Sequence, residues 1–180
     1  MDNFKFLGNY SIQNWLNKLN TLTDEDWSVY SFRQDEYKVH RQTKTIPILY
    51  DENYGPQIGK KSKYYNLFQS DVEELNKVYT DVLGKGEILR IEIVKMPPHS
   101  KVPLHIDYGG SLETHNRTHI PLQTSIGCVF TVGGESKHLK VGEIWEIDNG
   151  TKKHGVINNS DMERIHMIVD YKKDIVNKLI

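Results

Sequence analysis

The sequence predicts a mainly-β domain with flanking helices, its strands folded into a sandwich or barrel. Three observations carry this. From Glu87 onward the apolar residues alternate with polar ones or gather in short runs, as strands do. Turn signals separate these runs at close spacing: Met96-Pro97-Pro98-His99-Ser100, Gly133-Gly134, Asn149-Gly150 and Asn158-Asn159-Ser160-Asp161. Helical periodicity is confined to the first eighty-odd residues. Many short strands with frequent turns make a closed or two-layered β architecture.

The 180 residues suffice for one domain, 1–180. Residues 1–86 form a helical and edge-strand part that covers a β core at 87–172. Residues 11–19 read as a short helix capped by Ser11, with Ile12, Trp15, Leu16 and Leu19 on one stripe. A turn at 23–27 and one or two strands within 29–39 follow. Residues 43–50 alternate like an edge strand, where Pro47 is tolerated. Residues 51–63 read as a surface loop ending in Lys60, Lys61 and Lys63. That basic end hints at an acidic partner, and a lid carrying Tyr54, Tyr64 and Tyr65 is the alternative. Ser70 and Glu73 have capping-box spacing. Val72, Leu75, Val78, Tyr79 and Val82 then give an apolar helix face that Gly84 ends.

In the β region, 88–96 alternates, with Leu89, Ile91 and Ile93 toward a core and Arg90 and Glu92 on the other face. A strand carrying Leu104-His105-Ile106-Asp107 follows. The stretch 118–132 is interrupted by Pro121, Gly133-Gly134 turns a hairpin, and 138–141, 143–147 and 164–171 supply further strands.

Composition excludes several function classes. Net charge is −1, with 23 basic and 24 acidic residues mixed, so there is no electrostatic footprint for nucleic acid or an acidic membrane. No run approaches the roughly 20 apolar residues a membrane helix needs. The N-terminus lacks the apolar region of a signal peptide. The one cysteine, Cys128, forbids an intrachain disulfide, reads as a small core residue and fits a reducing cytoplasm.

The chemistry centres on His105 and Asp107. On a strand they point to the same face. With a second imidazole they make the two-His-one-carboxylate set that suits non-haem Fe(II) and leaves positions open for substrate and oxygen. An HxD triplet alone is common on surfaces, so further residues must add weight. His154, in the turn-to-strand stretch after Gly150, supplies the second imidazole if distant strands lie side by side. A histidine there also serves zinc sites and buried hydrogen bonds.

Arg164 stands ten positions on, in an otherwise apolar strand. A buried guanidinium is costly unless a carboxylate meets it, and its planar fork suits bidentate recognition. A dicarboxylate chelating the metal at one end would place its other end there. A surface ion pair with Asp161 or Glu163 is the alternative. Arg117 and His119 share a strand face and are candidate donors to the metal-bound end of the same dicarboxylate, or a loop-edge arginine and a core histidine. Arg90 and Tyr108 are candidates for the substrate pocket, though Arg90 also has Glu92 as a partner. His99, His115, His138 and His166 read as turn or surface residues, with lining of the site as the alternative, and Trp145 reads as core.

These residues resemble the Fe(II)/2-oxoglutarate-dependent oxygenases, specifically the aspartyl/asparaginyl β-hydroxylase-like group that includes free-proline hydroxylases. The resemblance rests on Arg117-x-His119 with Ile120-Pro121-Leu122, on Gly142-Glu143-Ile144-Trp145, on His154-x-Val156-x-Asn158 and on Arg164-x-x-x-Ile168-Val169-Asp170. It covers about residues 88–171. Some members lack the acidic ligand, whereas Asp107 is present here, as in the proline hydroxylases. The resemblance implies a double-stranded β-helix (jelly roll, cupin-like) in which His105, Asp107 and His154 hold Fe(II). It implies that Arg164 binds the far carboxylate of 2-oxoglutarate, with Arg117 and His119 near the other end. The expected activity is oxygen-dependent hydroxylation of an unactivated C–H in an amino acid or a peptide or protein residue, with release of succinate and CO2. A cupin-like metal enzyme without 2-oxoglutarate and a non-catalytic jelly-roll binding module are the alternatives.

Overall fold

The computed structural model of the chain describes residues 2–50, 59–108 and 115–174. Among the described residues, eleven strands form two antiparallel sheets. In chain order they are β1 (Phe4–Asn9), β2 (Lys44–Tyr50), β3 (Lys60–Lys61), β4 (Gly86–Met96), β5 (Ser100–His105), β6 (Asn116–Gln123), β7 (Cys128–Val132), β8 (Glu135–Lys137), β9 (Glu143–Ile147), β10 (His154–Asn158) and β11 (Arg164–Lys173). The large sheet runs β1-β9-β6-β11-β4-β2-β3 and the small one β5-β10-β7-β8. The helices are α1 (Gln13–Leu19), α2 (Asp26–Val29), α3 (Phe32–Glu36) and α4 (Tyr65–Leu83), with a 3-10 turn at Lys38–His40. This is the double-stranded β-helix architecture, with α1, α2 and α4 contributing to a core on the outer face of the large sheet.

The period-2 alternation of the central strands divides the molecule into two cores. Ile91 and Ile93 of β4, Ile120 of β6 and Met167, Val169 and Tyr171 of β11 point outward and meet Phe68, Val72, Leu75 and Tyr79 of α4. Trp15 of α1 stacks on Phe68 with ring centroids 5.0 Å apart, and its Nε1 donates to the Tyr10 hydroxyl. Side chains of this size contribute about 1.5–3 kcal/mol each when fully buried. A smaller apolar cluster, including Phe4, Met96, Phe130, Val132 and Val156, fills one part of the space between the sheets. The alternate residues of β4, β6 and β11 are polar yet buried: Arg90, Glu92, Arg117, His119, Arg164, His166 and Asp170. Charges taken from water at such density need partners or a ligand.

Several local expectations are corrected. The segment 29–39 forms α3 and the 3-10 turn rather than strands. Ser11 does not cap α1, whose N-cap is Ile12 without a side-chain bond. Ser70 and Glu73 lie inside α4, which starts at Tyr65. Its N-cap is Tyr64, and just before it the Ser62 hydroxyl accepts from the Tyr64 N–H and donates to the Pro47 carbonyl. In β4 a bulge at Leu89 puts Ile88, not Leu89, in the helix-facing core with Ile91 and Ile93. Residues 138–141 are not a strand. His166 is buried rather than superficial.

The strand at 44–50 is second from the edge of its sheet rather than the edge itself. Yet among the described residues β3 pairs with it only at Leu49 and Tyr50, which leaves Pro47 without a ladder partner on that side. Other expectations hold. Gly133 and Gly134, both with positive φ, make the tight β7–β8 turn. Tyr64 and Tyr65 are buried, whereas Tyr54 and most of the 51–63 loop lie outside the described residues. No helix among the described residues is long and apolar enough to cross a membrane.

Candidate active site

His105 closes β5 and His154 opens β10, and the two are directly paired across the small sheet. Their rings lie 4.3 Å apart by centroid. Asp107 stands just beyond the end of β5, so strand alternation alone does not aim it. Its backbone N–H donates to the Asn149 carbonyl at 3.1 Å, and the Asn149 side-chain amide donates to its Oδ2 at 3.0 Å. One donor atom from each of the three residues falls within 4.8 Å of the others.

The surroundings fix which atoms face inward. Asp107 Oδ2 also accepts from Arg117 Nη1 at 2.6 Å, leaving Oδ1 turned toward His105 Nε2 at 3.5 Å. His105 Nδ1 lies 2.8 Å from the Pro103 carbonyl, which makes that nitrogen the N–H donor and frees Nε2. Burial opposes ionisation of Asp107, yet the Arg117 guanidinium outweighs it and holds the carboxyl far below its usual range. Burial pushes His154 down to about 4 against the pull of Asp107. A carboxylate and a neutral imidazole are the forms that ligate a metal.

Arg117 is held in turn. Its Nε and Nη2 donate to the two oxygens of Asp170 at 2.7 and 2.8 Å, and Arg90 Nη1 lies 3.2 Å from Asp170 Oδ2. A buried chain of alternating charge, Arg90, Asp170, Arg117 and Asp107, therefore ends at the triad. The structure places Arg117 on the candidate ligand Asp107. Arg90, 2% exposed, faces Asp170 and is not among the residues lining the two cavities at the site.

The first of these cavities runs between the sheets from the triad to Arg164, lined also by His119, Phe130, His166 and Ile168. Arg164 is buried and makes no ion pair with a carboxylate among the described residues. Its Nη2 lies 2.8 Å from His166 Nδ1, and its guanidinium sits 5.7 Å from the centre of the Phe130 ring. The surface-pair alternatives are taken elsewhere, Asp161 by His99 and Glu163 by Lys95. Burial pulls Arg164 down to about 9, the mark of a cation lacking its counter-charge. His119 Nδ1 and His166 Nε2, in the same cavity wall, have no hydrogen-bond partner among the described residues. Three histidine and aspartate donors at one end and an unmatched guanidinium at the other fit a metal ion chelated by an anionic ligand that reaches Arg164.

A second cavity, of about 320 Å³, opens on the other side of the triad. Tyr108, 75% exposed, lies at its rim. Its walls bring in Arg33, Tyr37 and His40, which the sequence reading missed. Arg33 and His40 are buried, and His40 meets the His105 ring edge-on at 5.3 Å. The one sequence signal for α3 was Ser31 followed by Asp35, now hydrogen-bonded at 2.6 Å. Nothing in the local sequence marks Arg33 as buried, because its partner Glu92 is 59 residues away.

Comparison with known proteins gives a consistent set of findings. The family model described as aspartyl/asparaginyl beta-hydroxylase matches residues 7–174. An L-proline cis-4-hydroxylase of Rhizobium meliloti (strain 1021) is 31% identical over 98 residues, which is 54% of this chain and 35% of that protein. The chain thus aligns with about a third of that relative's length. Among solved structures, a 2OG-Fe(II) oxygenase family oxidoreductase from Burkholderia pseudomallei superposes with a TM-score of 0.57 at 16% identity, over 73% of this chain and 67% of that one. A viral collagen prolyl hydroxylase from Paramecium Bursaria Chlorella virus-1 gives 0.57 at 10% identity, over 96% and 97%. A Pseudomonas putida prolyl-4-hydroxylase gives 0.53 at 11% identity, over 96% and 93%.

Proposed function

Because the chain belongs to the aspartyl/asparaginyl β-hydroxylase family, we propose that it is an Fe(II)- and 2-oxoglutarate-dependent dioxygenase. It hydroxylates an unactivated C–H of an amino acid or of a peptide or protein residue of the Asp, Asn or Pro type, releasing succinate and CO2. The observation that carries this reading is Arg164: a buried guanidinium without a carboxylate among the described residues, in the same cavity as the His105, Asp107 and His154 donors. A cupin-like enzyme that uses no dicarboxylate has no need of it. A closed structural zinc site needs a fourth ligand, and the group among the described residues has three.

In this reading His105 Nε2, an Asp107 carboxylate oxygen and His154 would hold Fe(II). The bound metal and cosubstrate together supply the oxidant, with 2-oxoglutarate giving up two electrons as it is decarboxylated to succinate and O2 providing the hydroxyl oxygen. The chain's own residues do the positioning. Arg164 grips the distal carboxylate of 2-oxoglutarate, and His119 stands nearby as a donor. Arg117 and Asn149 hold Asp107 by Oδ2, so its other oxygen stays on the metal side. Val94, Phe130, Val156 and Ile168 keep water from the inner cavity. The lone, buried Cys128 suits a reducing cytoplasmic setting.

The test is succinate formation from 2-oxoglutarate with Fe(II) and oxygen, across amino-acid and peptide substrates. Wild type produces succinate, and His105→Ala and Asp107→Ala lose it. Wild type forming none with any substrate, while binding metal, refutes the reading.

A further inference from the structure

We propose that the buried pair Arg33–Glu92 reads the two charged groups of a free α-amino acid, Arg33 taking the carboxylate and Glu92 the ammonium. This rests on the oxygenase reading above and names its substrate class. The pair lies in the wall of the outer cavity, whose volume of about 320 Å³ is at the low end of small-molecule sites, roughly 300–1,000 Å³. Arg33 also lines the inner cavity, so it stands where the two meet beside the triad. His40 connects it to the centre: its Nε2 is 3.4 Å from Arg33 Nη2, and its ring is 5.3 Å from that of His105.

The pair is buried but loosely made. The two side chains are 9% and 5% exposed, yet they meet through one contact of 3.3 Å, Arg33 Nη1 to Glu92 Oε2. The fork that an arginine prefers is seen elsewhere in this chain, where Arg117 reaches both oxygens of Asp170. The other terminal nitrogen of Arg33, Nη2, turns to His40 rather than to the second oxygen of Glu92. Two largely buried charges joined by a single contact, side by side in a cavity wall, match a ligand that offers both signs a bond or two apart. An α-amino acid hangs its carboxylate and ammonium from one carbon. In a peptide the same groups are amides, which carry no charge and answer neither partner.

A purely structural role, tying α3 to β4, is separable by kinetics. Succinate formation is measured with each of the twenty free L-amino acids and with N-acetyl amides of those that stimulate it. The proposal expects at least one free amino acid to stimulate turnover, and its N-acetyl amide to retain less than about a tenth of the effect. Glu92→Gln and Arg33→Lys should each raise KM for that amino acid by about tenfold or more and leave KM for 2-oxoglutarate within about twofold. Peptides or N-acetyl amides working as well as free amino acids would overturn the proposal. So would KM values for the amino acid unchanged in both variants that fold. Calorimetric binding of 2-oxoglutarate to the Mn(II)-loaded protein separates the two readings. If binding is absent, the oxygenase reading falls first. If it is present and no free amino acid stimulates turnover, only the Arg33–Glu92 proposal falls.

Discussion

Asp107 shows how a candidate metal ligand is held from outside the triad. One oxygen is taken by Arg117 and Asn149, and the other is left for coordination. Asp170, 1% exposed, is the anchor behind Arg117, its own carboxyl kept ionised because Arg117 outweighs the cost of burial. Asp170→Asn removes that anchor. We expect metal affinity to drop about 10–100-fold, the usual effect of losing a partner of a ligand, while 2-oxoglutarate still reaches Arg164. Mn(II) titration of the variant checks this, and an unchanged affinity would show that Arg117 needs no support. At this scale the sequence was informative where residue type carries chemistry. His105, Asp107 and His154 stood out as an HxD pair with a distal imidazole, and Arg164 because a guanidinium in an apolar strand is costly without a partner. The position of Arg117 on Asp107, and the burial of Arg33, were not legible, since each depends on a cross-chain partner.

Between elements, the site depends on the seam where β5 meets β10. Gly155 follows His154 there, and a Cβ at this position would lie 2.8 Å from the Val102 carbonyl oxygen and 3.1 Å from the Leu104 nitrogen. Both obstacles are backbone, so neither can swing aside. Gly155→Ala should force β5 away from β10, costing about 1–3 kcal/mol of stability and separating His105 from His154. Denaturant unfolding and Mn(II) titration on the same sample test this: both must weaken, and a stable variant with wild-type metal affinity would contradict it. The strands around this seam were readable because half-buried strands repeat every two residues. The short helices were not. Four or five residues give too little periodicity for α2 and α3, and their shape is set by Trp27 and Arg33 docking on the sheet. The start of α4 was misplaced for a related reason. Ser70 offered the familiar cap, whereas the helix is launched by aromatic burial at Tyr64, Tyr65 and Phe68, with Ser62 bonded to the neighbouring strand.

The whole molecule stores its polarity between the sheets, and this makes its stability depend on acid. His40, His119, His154 and His166 all have pKa values pulled below the usual 6.5, in each case chiefly by burial. The folded protein keeps these rings neutral, while the unfolded chain binds protons as pH falls below about 6.5. Their contribution is complete above that pH and is lost on acidification, down to about 4 for His154. Each adds a slope of up to about 1.4 kcal/mol per pH unit, so the metal-free protein should take up several protons on unfolding. Urea midpoints measured at pH 7 and pH 5.5 should differ clearly, with the lower value at pH 5.5, and equal midpoints would show that these rings are not held neutral. The architecture was foreseeable from strand count and turns, but the meeting of two cavities at one triad emerges only when the sheets close. That junction is the centre of the account, and one titration addresses it. 2-Oxoglutarate is added anaerobically to wild type and to Arg164→Met, each with and without Mn(II), and the heat of binding is recorded. Tight binding is expected only in wild type with metal, with affinity at least about 30-fold lower in the variant, whose metal affinity is unchanged. Equal binding with and without Mn(II), or equal binding by the two proteins, would contradict it.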